Sequence, residues 1–366
     1  MPDHKVDIAI VGAGMAGASL AAELAPHARV LLIEAEDHPG VHATGRSAAF
    51  WLESYGGRAV HPLTRASGPW LAERGFLQPR TALHLARADQ TGLLDTFERE
   101  CTGAGIALER VGRDKAATLV PGLKQRWVAA LLEPTTCDID VAALHAHYLA
   151  SARKLGAALR TRAGLLEARR AGGVWQLRLA DGGICTAALL VNAAGAWADE
   201  VARRAGLPPL GIQPMRRTMA QLRIARPVPP DLPLVLGIDG SFYFKPEADR
   251  LWLTPHDEHP SRPCDAAPEE IDVAIALDRL EQVVDWPVAA VERRWAGLRS
   301  FAPDRAPVYG PDPREPSFLW FAGQGGFGIQ TAPAAARLMA QQVLGLPADA
   351  MTSGIGPQAF HPSRFF

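Results

Sequence analysis

Residues 6–34 read VDIAIVGAGMAGASLAAELAPHARVLLIE, and the fold class turns on how they are parsed. An apolar run, Val6–Val11, ends on Gly12-Ala13-Gly14-Met15-Ala16-Gly17. Apolar residues then recur at helical spacing over Met15–Leu24, and Arg29–Glu34 is again strand-like. Strand, glycine turn, helix and strand make one βαβ unit, so a parallel sheet starts here. Each glycine has a physical role. Gly12 permits the tight turn, Gly14 lets a pyrophosphate approach the backbone, and Gly17 lets helix close on strand. The positive end of the helix, with Met15 and Ala16 in its first turn, attracts phosphate. Glu34, followed by Ala35, ends the second strand where it can accept from ribose hydroxyls.

The rest of the chain must house the partner of that turn. At 366 residues the chain exceeds the roughly 250–300 residues at which single cores stop growing, so two lobes are expected. Hydrophobic residues at 48% and charged residues at 21% are the balance of a folded globular protein. Lys plus Arg number 38 against 39 Asp plus Glu, a net charge of -1, so no whole-chain field gathers nucleic acid or an anionic membrane. A small-molecule partner is expected. Cys101, Cys137, Cys185 and Cys264 form no CxxC pair, which signals neither a zinc site nor a disulfide framework and suits a reducing cytoplasm. Val6–Val11 is too short for a signal-peptide core, and no apolar stretch reaches the length of a membrane span.

Outward from the first unit, Val141–Leu155 reads as a helix with Val141, Leu144, Tyr148, Ala152 and Leu155 on one stripe and Asp138 or Asp140 as its cap. Val174–Leu179 and Ile184–Val191 read as strands about an Asp181-Gly182-Gly183 turn, the second running into Ala193, Ala194 and Gly195. Between about Gly211 and Arg299 the texture becomes short strands (Thr218–Ile224, Ser241–Lys245, Arg250–Thr254), Pro-rich loops and one helix, Glu269–Val284, with Val273, Leu277, Leu280 and Val284 in register. Strand, glycine loop and helix return at Phe318–Ala322, Gly323–Gly328 and Thr331 onward. The expected architecture is α/β plus α+β. Residues 1–80, 138–210 and 300–366 form a discontinuous, Rossmann-like nucleotide lobe, and residues 81–137 and 211–299 a mixed-sheet substrate lobe.

Two further segments favour FAD over NAD. Thr44-Gly45-Arg46-Ser47 is a polar turn placed to cover a pyrophosphate and reach a ribityl chain. Gly323-Gln324-Gly325-Gly326-Phe327-Gly328 precedes a helix, and such an amide-rich helix start, with Ile329 and Gln330 counted among the cofactor contacts, suits the negative charge a reduced flavin accumulates.

VGAGMAGAS (11–19), HATGRSAA (42–49), VNAAGAWAD (191–199), SFYFKP (241–246), WAGLRSF (295–301) and GQGGFGIQT (323–331) together resemble the D-amino acid oxidase and glycine oxidase superfamily of flavoproteins, and within it most resemble the bacterial D-arginine dehydrogenases. The resemblance implies a GR2-type FAD lobe, FAD contacts that include Ala194, Gly195 and Trp197, and a site where arginine and tyrosine grip a carboxylate. The matching positions are Tyr55, Arg217, Tyr243 and Arg299, with Phe50, Ala82 and Gly326 around the substrate. The residues agree: Tyr243 alternates with Phe242 and Phe244, so its hydroxyl leaves their face, and Arg299 offers a planar fork matched to a carboxylate. Arg217 can be a clamp or a structural residue, since Arg216 faces the other way.

Departures carry information too. Phe50 stands where such dehydrogenases have a histidine, and Ala82 where they have the glutamate that pairs a guanidinium, so an apolar or small substrate side chain is expected. His42 matches histidines bonded to flavin in some relatives, yet non-covalent FAD is expected. His256-Asp257-Glu258-His259 reads as a solvated turn, not a metal site, and His145 and His147 are two apart on a helix and share no face.

The resulting expectation is a cytoplasmic FAD-dependent oxidoreductase. It takes a hydride from Cα of an amino acid, D-configured and neutral, to flavin N5, with Arg299, Tyr55 and Tyr243 fixing the carboxylate and the imine hydrolysing to a 2-oxo acid and ammonia. Oxygen or a quinone accepts the electrons. Two alternatives stay open: oxidation of a 2-hydroxy acid or N-alkyl amino acid by the same clamp, and an FAD-binding protein without catalysis.

Overall fold

The computed structural model describes residues 4–366. The opening unit is present as strand His4–Val11, helix Met15–Leu24 and strand Val30–Ile33. His4–Val11 lies between Val30–Ile33 and Ile184–Asn192, parallel to both. An eight-stranded sheet grows from this centre: Leu165–Ala171, Val174–Leu179 and Ile184–Asn192 on one flank, Ala158–Arg160 on the other, with Glu315–Ala322 added in parallel to Ile184–Asn192. Helices Met15–Leu24 and Ala332–Leu344 pack on one face of it around Ile10, Leu20, Leu32 and Phe321. Small residues set how closely they pack: a Cβ on Gly17 would stand 1.8 Å from the Gly12 carbonyl oxygen.

The second sheet has ten strands and is mixed. Its spine runs from Val288–Phe301 through Gln213–Ile224, Arg250–Thr254, Tyr243–Glu247 and Leu234–Gly237 to Ala82–Arg87 and Trp127–Glu133. Leu234–Gly237 and Ala82–Arg87 are parallel and the other spine pairs antiparallel. Helix Glu270–Val283 covers it, burying Val273, Ala276 and Leu280 against Leu222, Phe244 and Leu253. The two sheets meet where Gln324–Gly325, following Glu315–Ala322, pairs with the end of Val288–Phe301. A small third sheet of Phe50–Trp51, Cys137–Ile139 and Leu77–Pro79 is tied to the second where Lys245, buried, bonds Asp138 at 2.8 Å. No helix of the described residues is long and apolar enough to cross a membrane.

Three details depart from the sequence reading. Leu155 is 46% exposed, because the helix ends at Lys154 and the next residue no longer follows its period. The strand read from Ser241 begins at Tyr243, since Ser241 closes the preceding turn on Asp239. Residues 57–133, to which the sequence assigns no elements, contain helix Gly57–Glu73, helix Thr91–Gly103 and the paired strands Ala82–Arg87 and Trp127–Glu133. Pro62 and Pro69 inside the first of these helices hide it wherever proline is taken as a stop.

Of the two candidate caps, Asp140 accepts the Ala143 N–H at 2.9 Å, whereas Asp138 pairs with Arg80 and Lys245. Asp140→Ala is therefore expected to cost about 1 kcal/mol and to lower the melting temperature by roughly 2 °C, while Asp140→Asn keeps the acceptor and melts near the parent. An Ala variant that melts with the parent would deny the cap any role.

Candidate active site

One cleft of about 420 Å³ runs from the first glycine turn to the ends of the second sheet. Among the residues singled out above it is bordered by Gly12, Gly14, Met15, Ala16, Glu34, Ala35, Thr44, Arg46, Ser47, Ala194, Gly195 and Trp197 at one end. At the other stand Phe50, Tyr55, Arg217, Tyr243, Arg299, Gly325, Gly326, Gly328, Ile329 and Gln330. Gly17, Gly45, Phe327 and Ala82 do not border it. Gly17 and Gly45 are spent on close backbone approach, a Cβ on Gly45 standing 2.7 Å from the Gly40 carbonyl oxygen. Phe327 packs edge-on against Tyr55.

The glycine-turn end is shaped for a dinucleotide. Gly12 has φ +100, and a Cβ there would meet the Ala193 carbonyl oxygen at 2.5 Å. The N-cap residue of helix Met15–Leu24, Gly14, has no side chain to cap it and the first turn holds no acid, so nothing negative competes with an anion for its positive end. The Ala13 N–H donates to Glu34 Oε2 at 3.0 Å, and the Ala13 carbonyl accepts from His145 Nε2 at 2.8 Å. In a trans peptide the carbonyl and the next N–H point oppositely, so the Gly14 N–H is aimed away from His145. Burial first of all lowers the His145 pKa, which suits a neutral ring donating one N–H.

Two assignments change here. Thr44 Oγ1 accepts the Met15 N–H at 3.0 Å, so this hydroxyl positions the helix end. The Arg46 guanidinium turns to the carbonyls of Ala266 and Ala296 and to Asp265, tying the turn to the second sheet. His42 holds Glu36 through Nε2 at 2.8 Å and stands 4.6 Å from the Trp197 ring.

At the other end two arginines share a face. Met215 pairs with Arg299 and Arg217 with Gly297 in neighbouring strands, so Arg217 and Arg299 are diagonal neighbours on one side of the sheet. Arg216 takes the opposite side, with Glu269 and Asp272. Arg299 Nη1 donates to the Tyr55 hydroxyl at 2.7 Å. Gly326 lies over this pair: a Cβ there would stand 2.8 Å from the hydroxyl and 2.9 Å from Nη1. Arg217 donates to the Asp257 carbonyl at 2.6 Å and to Glu258 at 3.3 Å, and its Nη1 is buried without a partner. Burial, then repulsion from Arg299, pushes its pKa down to about 10. Tyr243 is buried on the face opposite Phe242 and Phe244, and Phe50 meets Tyr55 and Tyr243 edge-on at 5.5 and 5.6 Å.

Two expectations are corrected. Ala82 is fully buried, packed with Phe50, Leu234 and Tyr243, because it lies mid-sheet between Leu234 and Glu133; it lines no pocket. The 256–259 turn is solvated only in part: His259 is exposed, and His256, Asp257 and Glu258 are half-buried. The His256 ring stands 5.7 Å from that of Tyr243, Nδ1 bonds the Gly240 carbonyl at 2.5 Å, and Nε2 is buried without a partner. Asp257 holds the N–H and hydroxyl of Thr218. Asp257, His259 and Asp272 do bring ligand-type atoms within 4.8 Å of one another, but Arg216 and Thr218 already donate to Asp272. No strand register marks this position in the sequence: the strand ends at Thr254 and His256 turns back at φ 56.

Among known proteins, residues 7–342 match the family described as DAO, FAD dependent oxidoreductase. Mitochondrial dimethylglycine dehydrogenase of Mus musculus is 25% identical over 93% of this chain, which spans only 42% of that relative. Glycine oxidase of Geobacillus kaustophilus is 26% identical, 93% of each chain being covered. The crystal structure of L-proline dehydrogenase from P. horikoshii superposes with a TM-score of 0.84 at 20% identity, covering 100% of this chain and 98% of the other. FAD is the cofactor of the matched family, and the glycine turn at Gly12 and the acid-free helix end fit its pyrophosphate.

Gly12→Ala should therefore give folded but colourless protein, measured as near-complete loss of the flavin bands at unchanged far-UV circular dichroism; a yellow variant would break the assignment of the turn. His256 yields a pH prediction. Burial, followed by repulsion from Arg217 and Arg299, lowers its pKa from 6.5 to about 3. Between those values the unfolded chain binds the extra proton, so stability falls as pH drops through this window and is fully present above it. Melting curves of His256→Gln are expected to lose less between pH 6.5 and pH 4 than the parent does, and parallel curves would contradict this.

Proposed function

The chain belongs to the DAO family of FAD-dependent oxidoreductases, and from that premise we propose that it oxidises the Cα–N bond of a small amino acid, releasing an imino acid that water hydrolyses to a 2-oxo acid and ammonia. The observation that carries this reading is the Arg299–Tyr55 pair, 2.7 Å apart and left open by Gly326. When bound, FAD supplies the two-electron acceptor for the hydride on Cα. The chain supplies the geometry. Arg299 offers a bidentate fork to the carboxylate, and the Tyr55 hydroxyl, already accepting from Arg299, has its own proton left to donate. Orientation of this kind supplies much of an enzyme's rate.

Charge and proton balance support an amine over an alcohol. No carboxylate among the described residues pairs with Arg299, while Arg217 has Asp257 at 3.9 Å and Glu258 at 3.3 Å. The end of the cleft thus carries about one unmatched positive charge, suited to a monocarboxylate. The acids and histidine among the residues bordering the cleft, Glu34, Glu36 and His42, all belong to the glycine-turn end. His256, beside the tyrosines but outside the cleft lining, is held too acidic to take a proton at neutral pH. A hydroxy acid needs such a base, and a neutral amine can expel hydride with its own lone pair. Phe50 and Met219 border the same end, so a neutral or apolar side chain is favoured; the D configuration rests on the motif resemblance alone.

A second reading, an N-alkyl amino acid, is favoured by the rings of Phe50, Tyr55 and Tyr243 around one end of the cleft, because aromatic faces attract alkylated ammonium groups. A panel of D-, L- and N-methyl amino acids, mixed anaerobically with the yellow protein, separates the two by which members bleach it; bleaching by none would sink both. Peroxide release then distinguishes oxygen from a quinone as acceptor. For any active member, Arg299→Ala is expected to lower kcat/KM by roughly a thousandfold or more with FAD still bound, and unchanged kinetics would refute the clamp.

A further inference from the structure

Tyr55 sits in a turn, residues 52–55, between the short strand Phe50–Trp51 and helix Gly57–Glu73, and belongs to no strand or helix. Its polar backbone groups are taken up by two buried side chains from different parts of the fold. Gln330 accepts the Leu52 N–H at 3.2 Å and donates to the Tyr55 carbonyl at 3.2 Å. From the other side, Glu133 Oε1 accepts the N–H groups of Glu53 at 3.0 Å and Ser54 at 3.3 Å. Glu133 ends the strand Trp127–Glu133 of the second sheet and has no exposed surface. Its second oxygen faces Nε2 of His84, also buried, at 3.6 Å across the adjoining strand. A carboxyl group hidden this completely is costly to bury; two backbone donors compensate one oxygen, while the other, like His84 Nε2, is buried without a hydrogen-bond partner.

We propose that Glu133, with His84 behind it, is a positioning residue that holds the Tyr55 hydroxyl against Arg299 and so sets the carboxylate clamp. The inference rests on the reading of Arg299 and Tyr55 as that clamp. Neither Glu133 nor His84 borders the cleft, so any effect on ligand binding must pass through the turn. Losing the anionic character of the acceptor weakens both N–H bonds and frees the turn to shift, and a displacement too small to unfold anything misaligns a bidentate site.

The test is a double-mutant cycle on the FAD-loaded protein: parent, Glu133→Gln, Tyr55→Phe and the double variant. Each is titrated with pivalate, a carboxylate with no hydrogen on its α carbon, and binding is read from the shift in the flavin absorbance. Glu133→Gln keeps the shape and one acceptor oxygen, so FAD content and melting temperature should stay near the parent. Its pivalate affinity is expected to fall about tenfold, and to fall little further when the Tyr55 hydroxyl is already absent, because coupled residues give non-additive effects. Unchanged affinity, or a full tenfold loss retained in the Tyr55→Phe background, would overturn the positioning role. Should Glu133→Gln not fold, His84→Gln is read in the same cycle by the same criterion. If the parent itself does not bind pivalate, or Tyr55→Phe binds it as well as the parent, the clamp reading has failed instead, and the proposal with it.

Discussion

A guanidinium with no carboxylate of its own, met by a tyrosine from the turn before helix Gly57–Glu73, is the contact on which the site depends. Arg299 stands near the end of a fourteen-residue strand of the second sheet. Tyr55 comes from the turn that follows the first nucleotide-binding segments. Their 2.7 Å hydrogen bond forms only if that turn is held at the height of the strand end that carries Arg299. Much of the surrounding structure serves that alignment: the Gln324–Gly325 pairing with Ser300 and Phe301, the Lys245–Asp138 contact, and Gln330, which reaches from the second glycine segment to the backbone of the Tyr55 turn.

The same contact explains why glycine recurs between the two ends of the cleft. At Gly12 the missing side chain makes room for backbone, at Gly326 for a guanidinium and a phenol. In both places the polar group must be met from one side without a methyl group in the way. That is a steric demand, and it leaves a trace in the sequence. The first βαβ unit and the second glycine loop are legible for this reason, because local geometry constrains their residues and residue spacing records it.

Other parts are illegible for equally physical reasons. Helix Gly57–Glu73 carries two prolines and begins on glycine, so propensity argues against it, and packing of Val60, Leu63 and Leu71 decides otherwise. Alignment draws Ala82 toward the substrate, but a strand residue with neighbours on both sides is buried by the sheet it completes. The 256–259 turn misleads because four polar residues between prolines look solvated, while only His259 is exposed and the His256 ring packs 5.7 Å from that of Tyr243. Faces are easier: the alternation of Phe242, Tyr243 and Phe244 and the opposed Arg216 and Arg217 follow from the two-residue period of a strand.

Two cations of like sign on one face would repel unless something offsets them, and the offsets are unequal. Arg217 is buried with Asp257 and Glu258 close by, and still has its pKa pushed down to about 10. Glu258 is itself shared with Arg305 at 2.8 Å. Arg299 has the neutral Tyr55 in place of an anion. An incoming carboxylate therefore gains most beside Arg299, where the field is least compensated, and Arg217 adds attraction without demanding a second negative group. On the proposed reading, a dicarboxylate would bring one anion too many into a cleft end walled by Phe50 and Met219, so the electrostatics and the apolar wall both favour a single carboxylate on a neutral side chain.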